Sequence, residues 1–284
     1  MKENEVPLEK RLNVEIPTLK SLYIEMYFGS TRLSSGTATL VALDKESDVV
    51  VVTNRHNVTG RNQQSGKCLD KNLAEPDHIV IYFLKPHTVP AEWIQIRLPL
   101  YRPDGTPFWV EHPRLKGKAD IVGLNLKWGA DVFLYTYYLR TQHDRANMIV
   151  GPAETVSVIG FPFGEKSSGF HPIWMTGFLA QDLCFVTPDD PVFLIDCRTR
   201  QGQSGSPVIA YRPNGYRHLV DGQLRTTLTT EPKWEFLGIY SGRVNAESDL
   251  GMVWHISAVE ELVTETLGEK RRRQQKFESD QRPE

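Results

Sequence analysis

Short apolar and β-branched runs, separated by turn-forming residues, dominate this chain. Ser21–Phe28, Thr37–Leu43, Val49–Thr53, Ile79–Leu84, Trp93–Leu98, Phe108–Glu111, Ile121–Leu126 and Val132–Tyr137 each have strand length and composition. A second set follows at Val156–Ile159, Trp174–Leu179, Val192–Cys197, Pro207–Tyr211, Phe236–Tyr240 and Met252–Ile256. Two sets of about six strands predict an all-β fold of two antiparallel six-stranded Greek-key barrels with a C-terminal α-helix. Arg102-Pro103-Asp104-Gly105 and Arg212-Pro213-Asn214-Gly215 read as hairpin-type turns. They mark an inserted hairpin at 98–118 and a long excursion at 212–234.

After Ser257 the period changes. Ala258, Val259, Leu262, Val263 and Leu267 fall on one helical face, with Glu260, Glu261 and Glu265 mostly off it. Ser257 is placed as an N-cap, Glu260 stands at capping-box spacing, and Gly268 reads as the stop. The predicted organisation is an N-terminal extension (1–20), a first barrel (about 21–145), a second barrel (about 150–256), a helix (about 257–268) and a charged tail (269–284). The tail, with Lys270-Arg271-Arg272-Arg273, is expected to be solvated and frayed.

The stretch richest in chemistry is Gly202-Gln203-Ser204-Gly205-Ser206-Pro207, just after the run Pro191–Ile195. A nucleophilic serine needs an exposed hydroxyl on a tight turn and backbone N–H groups free to hold an oxyanion. Glycines on both sides permit that backbone shape. A histidine suited to act as base is His56, which ends the strand-like run Asp48–Thr53 in the motif Thr53-Asn54-Arg55-His56. A rigid strand end facing a cleft is where a catalytic imidazole is held. His78, His87, His112, His143, His171, His218 and His255 lack this context and read as surface or satisfied core residues. Two carboxylates begin strand-like runs, Asp120 before Ile121-Val122-Gly123-Leu124 and Asp131 before Val132-Phe133-Leu134. Either is able to orient an imidazole; Gly123 and the Leu-x-Leu after it favour Asp120.

Taken together, these pieces resemble the trypsin-like serine peptidases of the chymotrypsin fold. The style is closer to the bacterial HtrA-type branch than to the digestive enzymes, and no PDZ module is expected after Gly268. Ser35-Gly36-Thr37-Ala38-Thr39, Thr53–His56, Asp120–Leu124, Val158-Ile159-Gly160-Phe161-Pro162, Gly202–Pro207 and Leu237-Gly238-Ile239-Tyr240-Ser241-Gly242 occur in the family's order over about residues 20–268. The resemblance implies a serine endopeptidase with His56, Asp120 and Ser204 as triad and the N–H groups of Gly202 and Ser204 as oxyanion hole. It implies Ser241, Gly242 and Arg243 as a strand edge for an extended substrate, Thr199 as a further substrate-binding residue, and a pocket with Arg198 at its base and Arg243 at its wall. Two arginines there would favour an acidic residue before the cut, unless they pair with Asp196, Glu247 or Asp249. Gln203 stands where digestive members carry an aspartate that pairs with a newly cleaved N-terminus, so no N-terminal cleavage is expected to be needed. Ser206, where glycine is commoner, is expected to be harmless.

Composition narrows the partners. The chain has 284 residues, 40% apolar and 24% charged, enough for a substantial core. A net charge of −2 argues against a nucleic-acid partner. No run of eighteen apolar residues predicts a transmembrane helix, and Met1–Lys10 lacks a signal-peptide core, so a cytoplasmic protein is expected. Cys68, Cys184 and Cys197 are odd in number and are expected as free thiols. No zinc spacing or phosphate-cradling loop stands out, so neither metal nor cofactor is expected. The partner is then a protein or peptide substrate, with a regulatory protein or self-association as the source of any control. The alternative is a catalytically silent module that binds peptides or partner proteins.

Overall fold

The computed structural model describes residues 14–86, 88, 90–245 and 247–280. Residues 1–13 of the expected extension and 281–284 of the tail lie outside them, as does His87. A 3₁₀ turn, Ile16–Lys20, leads into β1 (Ser21–Phe28), β2 (Thr31–Ala42) and β3 (Val50–Thr53). A five-residue helix, α1 (Arg55–Thr59), follows β3 directly. β4 (His78–Leu84), β5 (Trp93–Pro99), β6 (Trp109–Glu111), β7 (Val122–Asn125) and β8 (Tyr137–Tyr138) complete the first sheet. Its order is β5-β4-β1-β2-β3-β7-β6, with β8 parallel beside β2. The sheet curls so far that, just past the two edge strands, the Phe108 N–H donates to the Leu100 carbonyl at 2.9 Å.

The second half closes completely. β9 (Thr155–Gly160), β10 (Ile173–Leu179), β11 (Val192–Asp196) and β12 (Pro207–Arg212) are followed by the hairpin β13 (Gly215–Val220) and β14 (Gln223–Leu228). β15 (Lys233–Arg243) and β16 (Leu250–His255) then complete a barrel in the order β10-β11-β16-β15-β12-β9. The fold is thus all-β, with one half-barrel, one closed six-stranded barrel and a final helix, α2 (Ile256–Asp280). The excursion at 212–234 is the β13–β14 hairpin.

Strand composition explains most of these elements. In β5, Ile94, Ile96 and Leu98 pack against the core while Gln95 and Arg97 face out, a period of two. The run Val132–Tyr137 departs from expectation. Only Tyr137–Tyr138 forms a strand; the rest is irregular and pinned by Phe133 N–H to the Leu84 carbonyl at 2.8 Å. β-branched and aromatic content alone did not supply the missing ladder partner.

The helix also exceeds expectation. It starts at Ile256, passes Gly268 and runs to Asp280, so Gly268 is no stop and most of the charged tail is helical. Ser257 is not the cap; its Oγ instead pairs with His255 Nδ1 at 2.9 Å. Beyond Gly268 the turns are laced by Arg272 to Glu265 at 2.7 Å and Arg273 to Glu269 at 2.5 Å. Such pairs contribute only about 0.2–0.5 kcal/mol each. The anchor is the apolar face: Ala258, Val259, Leu262 and Val263 are fully buried. Each larger side chain contributes roughly 1.5–3 kcal/mol. They join one core shared by both halves, with Val50 and Ile121 from the first and Ile159, Ile209 and Phe236 from the second. Tyr137 stacks on Phe236 across the junction, ring centroids 4.5 Å apart. No described helix is long and apolar enough to cross a membrane.

Candidate active site

β3 ends at Thr53 and α1 begins at Arg55, so His56 sits in the first turn of a helix fixed to a fully buried strand. Asp120 precedes β7, the strand paired with β3, which brings its carboxylate under the histidine. Oδ1 accepts the His56 backbone N–H at 3.0 Å. Oδ2 lies 2.7 Å from His56 Nδ1 and accepts the Ser241 hydroxyl at 2.6 Å. Three donors therefore converge on a carboxylate whose side chain is 3% exposed, while the imidazole is 19% exposed. Nδ1 carries the proton in this arrangement, which leaves Nε2 as the acceptor. The alternative Asp131 is exposed and folds back beside Gly129.

Ser204 comes from the other half, on the loop between β11 and β12. Two positive φ angles shape that loop, +94° at Gly202 and +91° at Gly205. A Cβ at Gly202 would sit 2.4 Å from the Phe161 carbonyl, and one at Gly205 would sit 2.0 Å from the Thr37 carbonyl. Only glycine fits at either position. Buried Gln203 closes the turn: its N–H donates to the Arg200 carbonyl at 3.2 Å, and its Oε1 accepts the Arg200 N–H at 2.8 Å. Among the described residues, neither the Gly202 nor the Ser204 N–H has a partner within the chain.

The first sheet holds this loop in place. Thr37 N–H donates to the Ser204 carbonyl at 2.9 Å, and Thr37 Oγ1 to the Gly202 carbonyl at 3.0 Å. Thr39 Oγ1 donates to the Gly205 carbonyl at 2.9 Å. Asn57, next to His56, uses both amide protons, one to Thr53 Oγ1 at 3.0 Å and one to the Ser204 carbonyl at 3.2 Å. None of these contacts stood out in the sequence. They join residues up to 166 positions apart and carry no local pattern.

His56, Asp120 and Ser204 line one cavity of about 720 Å³, together with Gly202, Ser241, Gly242 and Arg243. The Ser204 hydroxyl donates to the Ser241 carbonyl at 3.0 Å; it makes no hydrogen bond to His56. β15 pairs with β12 only as far as Ile239 opposite Pro207, with Tyr240 bonded to the turn at Gly205 and Ser206. Beyond it, Ser241 bulges out of the ladder and Gly242 and Arg243 pair with β16 alone, so that Ser241–Arg243 leave a free edge facing the cavity. Arg198 departs from expectation: it is exposed and does not line the cavity. Thr199 is buried behind the wall, 2.5 Å from the Tyr240 hydroxyl. Burial pushes the Tyr240 phenol up to about 12. The other wall is a loop that the sequence did not flag, with Asn62, Gln63, Gln64, Leu69 and Ala74 lining the same cavity as His56, Asp120 and Ser204. All three cysteines are free, and burial pushes the Cys197 thiol up to about 11, which keeps it protonated and inert.

No protein-family model and no curated protein matches the chain. Its fold is similar to those of solved structures. A serine endoprotease from Yersinia pestis aligns over 93% of this chain and 68% of its own, at 12% identity and a TM-score of 0.49. The Rv3671c protease from Mycobacterium tuberculosis, in its active form, aligns over 92% of this chain and 87% of its own, at 15% identity and a TM-score of 0.45. An inactive-form mutant of that protease covers 92% of this chain and 95% of its own, at 15% identity and a TM-score of 0.45. All of these are proteases.

Proposed function

We propose that the chain is a serine endopeptidase acting through Ser204, His56 and Asp120. The observation that carries this reading is the three-donor network on Asp120, which leaves His56 Nε2 as an acceptor in the cavity that Ser204 lines. An extended substrate pairs with the free edge Ser241–Arg243. Its backbone N–H takes the Ser241 carbonyl, and the Ser204 hydroxyl released from that carbonyl turns to His56. His56 removes the proton as Oγ attacks the peptide carbonyl, and Asp120 stabilises the imidazolium. The N–H groups of Gly202 and Ser204 receive the oxyanion. His56 then protonates the leaving amine, the C–N bond breaks, and an acyl-enzyme remains on Ser204. Water, deprotonated by His56, hydrolyses that ester and restores the hydroxyl. Chain, substrate and water supply every proton.

One observation favours the second reading, a silent peptide-binding module: at rest Ser204 donates to Ser241 and not to His56. A fluorophosphonate probe separates the two. The endopeptidase reading expects a covalent adduct on Ser204, seen by intact and peptide mass, that is absent in Ser204→Ala and His56→Ala. No adduct on the folded wild-type protein, with or without added peptides, supports the silent module.

A further inference from the structure

Five charged or titratable side chains line the cavity: His56, Asp70, Lys71, Asp120 and Arg243. Four are accounted for. His56 and Asp120 are spent on each other. Asp70 caps its own turn, with Oδ1 accepting the N–H groups of Asn72 at 2.8 Å and Ala74 at 3.3 Å. Lys71 is exposed to solvent, on the loop that forms the opposite wall. The Arg243 side chain is half-buried, and among the described residues its guanidinium makes neither an ion pair nor a hydrogen bond. The acids that were available to neutralise it do not. Asp249 pairs with Arg200 at 3.5 Å, while Glu247 is exposed and unpaired. A half-buried guanidinium left unpaired at the wall of a cleft is a preformed carboxylate receptor.

Its place in the register says which part of a substrate it meets. Arg243 pairs with Gly251 and lies two residues past Ser241, whose carbonyl holds the Ser204 hydroxyl. Gly242, between them, has open space where a Cβ would stand. Gly242, Val244, Asn245 and Met252 continue the wall on this side, beside Gly202 and Ser204. A chain laid on the Ser241–Arg243 edge, with its carbonyl at Ser204, sends the side chain of the acyl residue along this wall. Arg200, held by the Thr199 carbonyl at 2.8 Å and paired with Asp249, takes that acid away from Arg243.

Resting on the endopeptidase reading, we propose that Arg243 makes this wall a carboxylate subsite and that the residue preceding the cut is Asp or Glu. The ligand chemistry is a carboxylate, from a side chain or from a chain terminus, and the test uses amide-capped peptides to separate them. A proteome-derived peptide library digested by the wild-type protein should show Asp and Glu enriched at least tenfold before the cut. Matched substrates with Glu or Gln at that position should differ at least tenfold in kcat/KM. Arg243→Gln should collapse the ratio toward one, and Arg243→Glu should invert it in favour of Lys and Arg. Cleavage with no acidic enrichment, or an enrichment that survives Arg243→Gln, overturns the subsite and leaves the endopeptidase reading intact. If the protein proves silent toward fluorophosphonate, the subsite is still measured, by calorimetry with amide-capped peptides ending in Glu or Gln. Tighter binding of the Glu peptide, lost in Arg243→Gln, supports it. Equal binding, or tight binding only when the terminal carboxylate is free, overturns it.

Discussion

Replacing Asp120 by Asn tests the proposed chemistry most directly, because the surroundings dictate how the amide must sit. The carboxylate accepts three protons: the His56 main-chain N–H on Oδ1, and His56 Nδ1–H with the Ser241 hydroxyl on Oδ2. An amide has one accepting end and one donating end. The main-chain N–H cannot reverse its polarity, whereas the imidazole changes tautomer and the hydroxyl rotates. The amide oxygen therefore stays on the main-chain N–H, and the NH₂ group points at the imidazole. Nδ1 must then give up its proton, Nε2 carries it, and the ring is unable to accept the proton of Ser204. Loss of the correct tautomer costs about 10⁴ in rate, or roughly 5.5 kcal/mol at 1.36 kcal/mol per decade. The assay is the second-order rate of fluorophosphonate labelling, which needs no knowledge of the substrate. Thermal unfolding should show the variant folded, since the amide is isosteric. A folded Asp120→Asn protein that labels within tenfold of the wild type would refute both the tautomer argument and the role given to Asp120.

Asn57→Ala removes one of two donors on the Ser204 carbonyl and should slow labelling about 5- to 30-fold, from a loss of about 1–2 kcal/mol. Asn57→Asp, which turns an acceptor toward that carbonyl, should be slower still, and in substrate kinetics the loss should fall on kcat more than on KM. Lys20 and Asp144 form a buried ion pair in which Asp144 also accepts the Trp234 indole N–H at 2.8 Å and the Tyr138 N–H at 2.9 Å. Lys20→Met and Asp144→Ala should each cost about 3–5 kcal/mol in denaturant unfolding, Asp144→Ala more, and the double variant less than their sum. Burial lowers the His255 pKa to about 4. The unfolded chain takes up that proton below about pH 6.5 and the folded chain does not, so stability present at pH 7 is lost between about 6.5 and 4; His255→Gln should flatten that part of the Tm profile. The labelled protein should retain its N-terminus by intact mass, because no cleaved amine is needed. Labelling that appears only after removal of residues ahead of Leu22 would contradict this.

The proposed triad residues could be picked out because each is announced by its own neighbours. Gly202 and Gly205 flank Ser204, and a β-branched run feeds His56. Asp120 could be preferred but not separated from Asp131, since both stand before apolar runs. Only the β3–β7 pairing decides between them. Arg198 was misplaced because spacing from the serine does not fix which way a side chain turns; Asp196, Arg198 and Arg200 alternate with buried Cys197 and Thr199, and the exposed side received Arg198. Gly268 read as a stop because its cost in a helix, about 1 kcal/mol, is visible locally. The offsetting burial of Leu262, Val263 and Leu267 against both barrels is not. The buried pair of Lys20 with Asp144, 124 residues apart, leaves no trace in either neighbourhood.

The Ser204 loop is held by a division of labour between the two halves. The Ser204 loop belongs to the second barrel by sequence, yet Gly202, Ser204 and Gly205 all give their carbonyls to donors on the first sheet or α1. A peptide whose carbonyl is pinned has its plane fixed. The pinned Gly202 carbonyl fixes the peptide it shares with Gln203, and the Ser204 carbonyl fixes the one it shares with Gly205. Gln203, tied to Arg200 at both its N–H and its side-chain oxygen, holds the turn between them. The Gly202 N–H lies in the peptide whose Gln201 carbonyl accepts the Phe163 N–H at 2.5 Å, and among the described residues the N–H groups of Gly202 and Ser204 are left unspent. The segment before β1 is part of the same frame. Lys20 is buried against Asp144, and the Ser21 hydroxyl donates to the Ile159 carbonyl in the second barrel at 2.7 Å. Cutting ahead of Leu22 would remove both anchors, Lys20 and the first residue of β1, from the rest of that strand. The neutral Gln203 thus closes its turn through Arg200 alone.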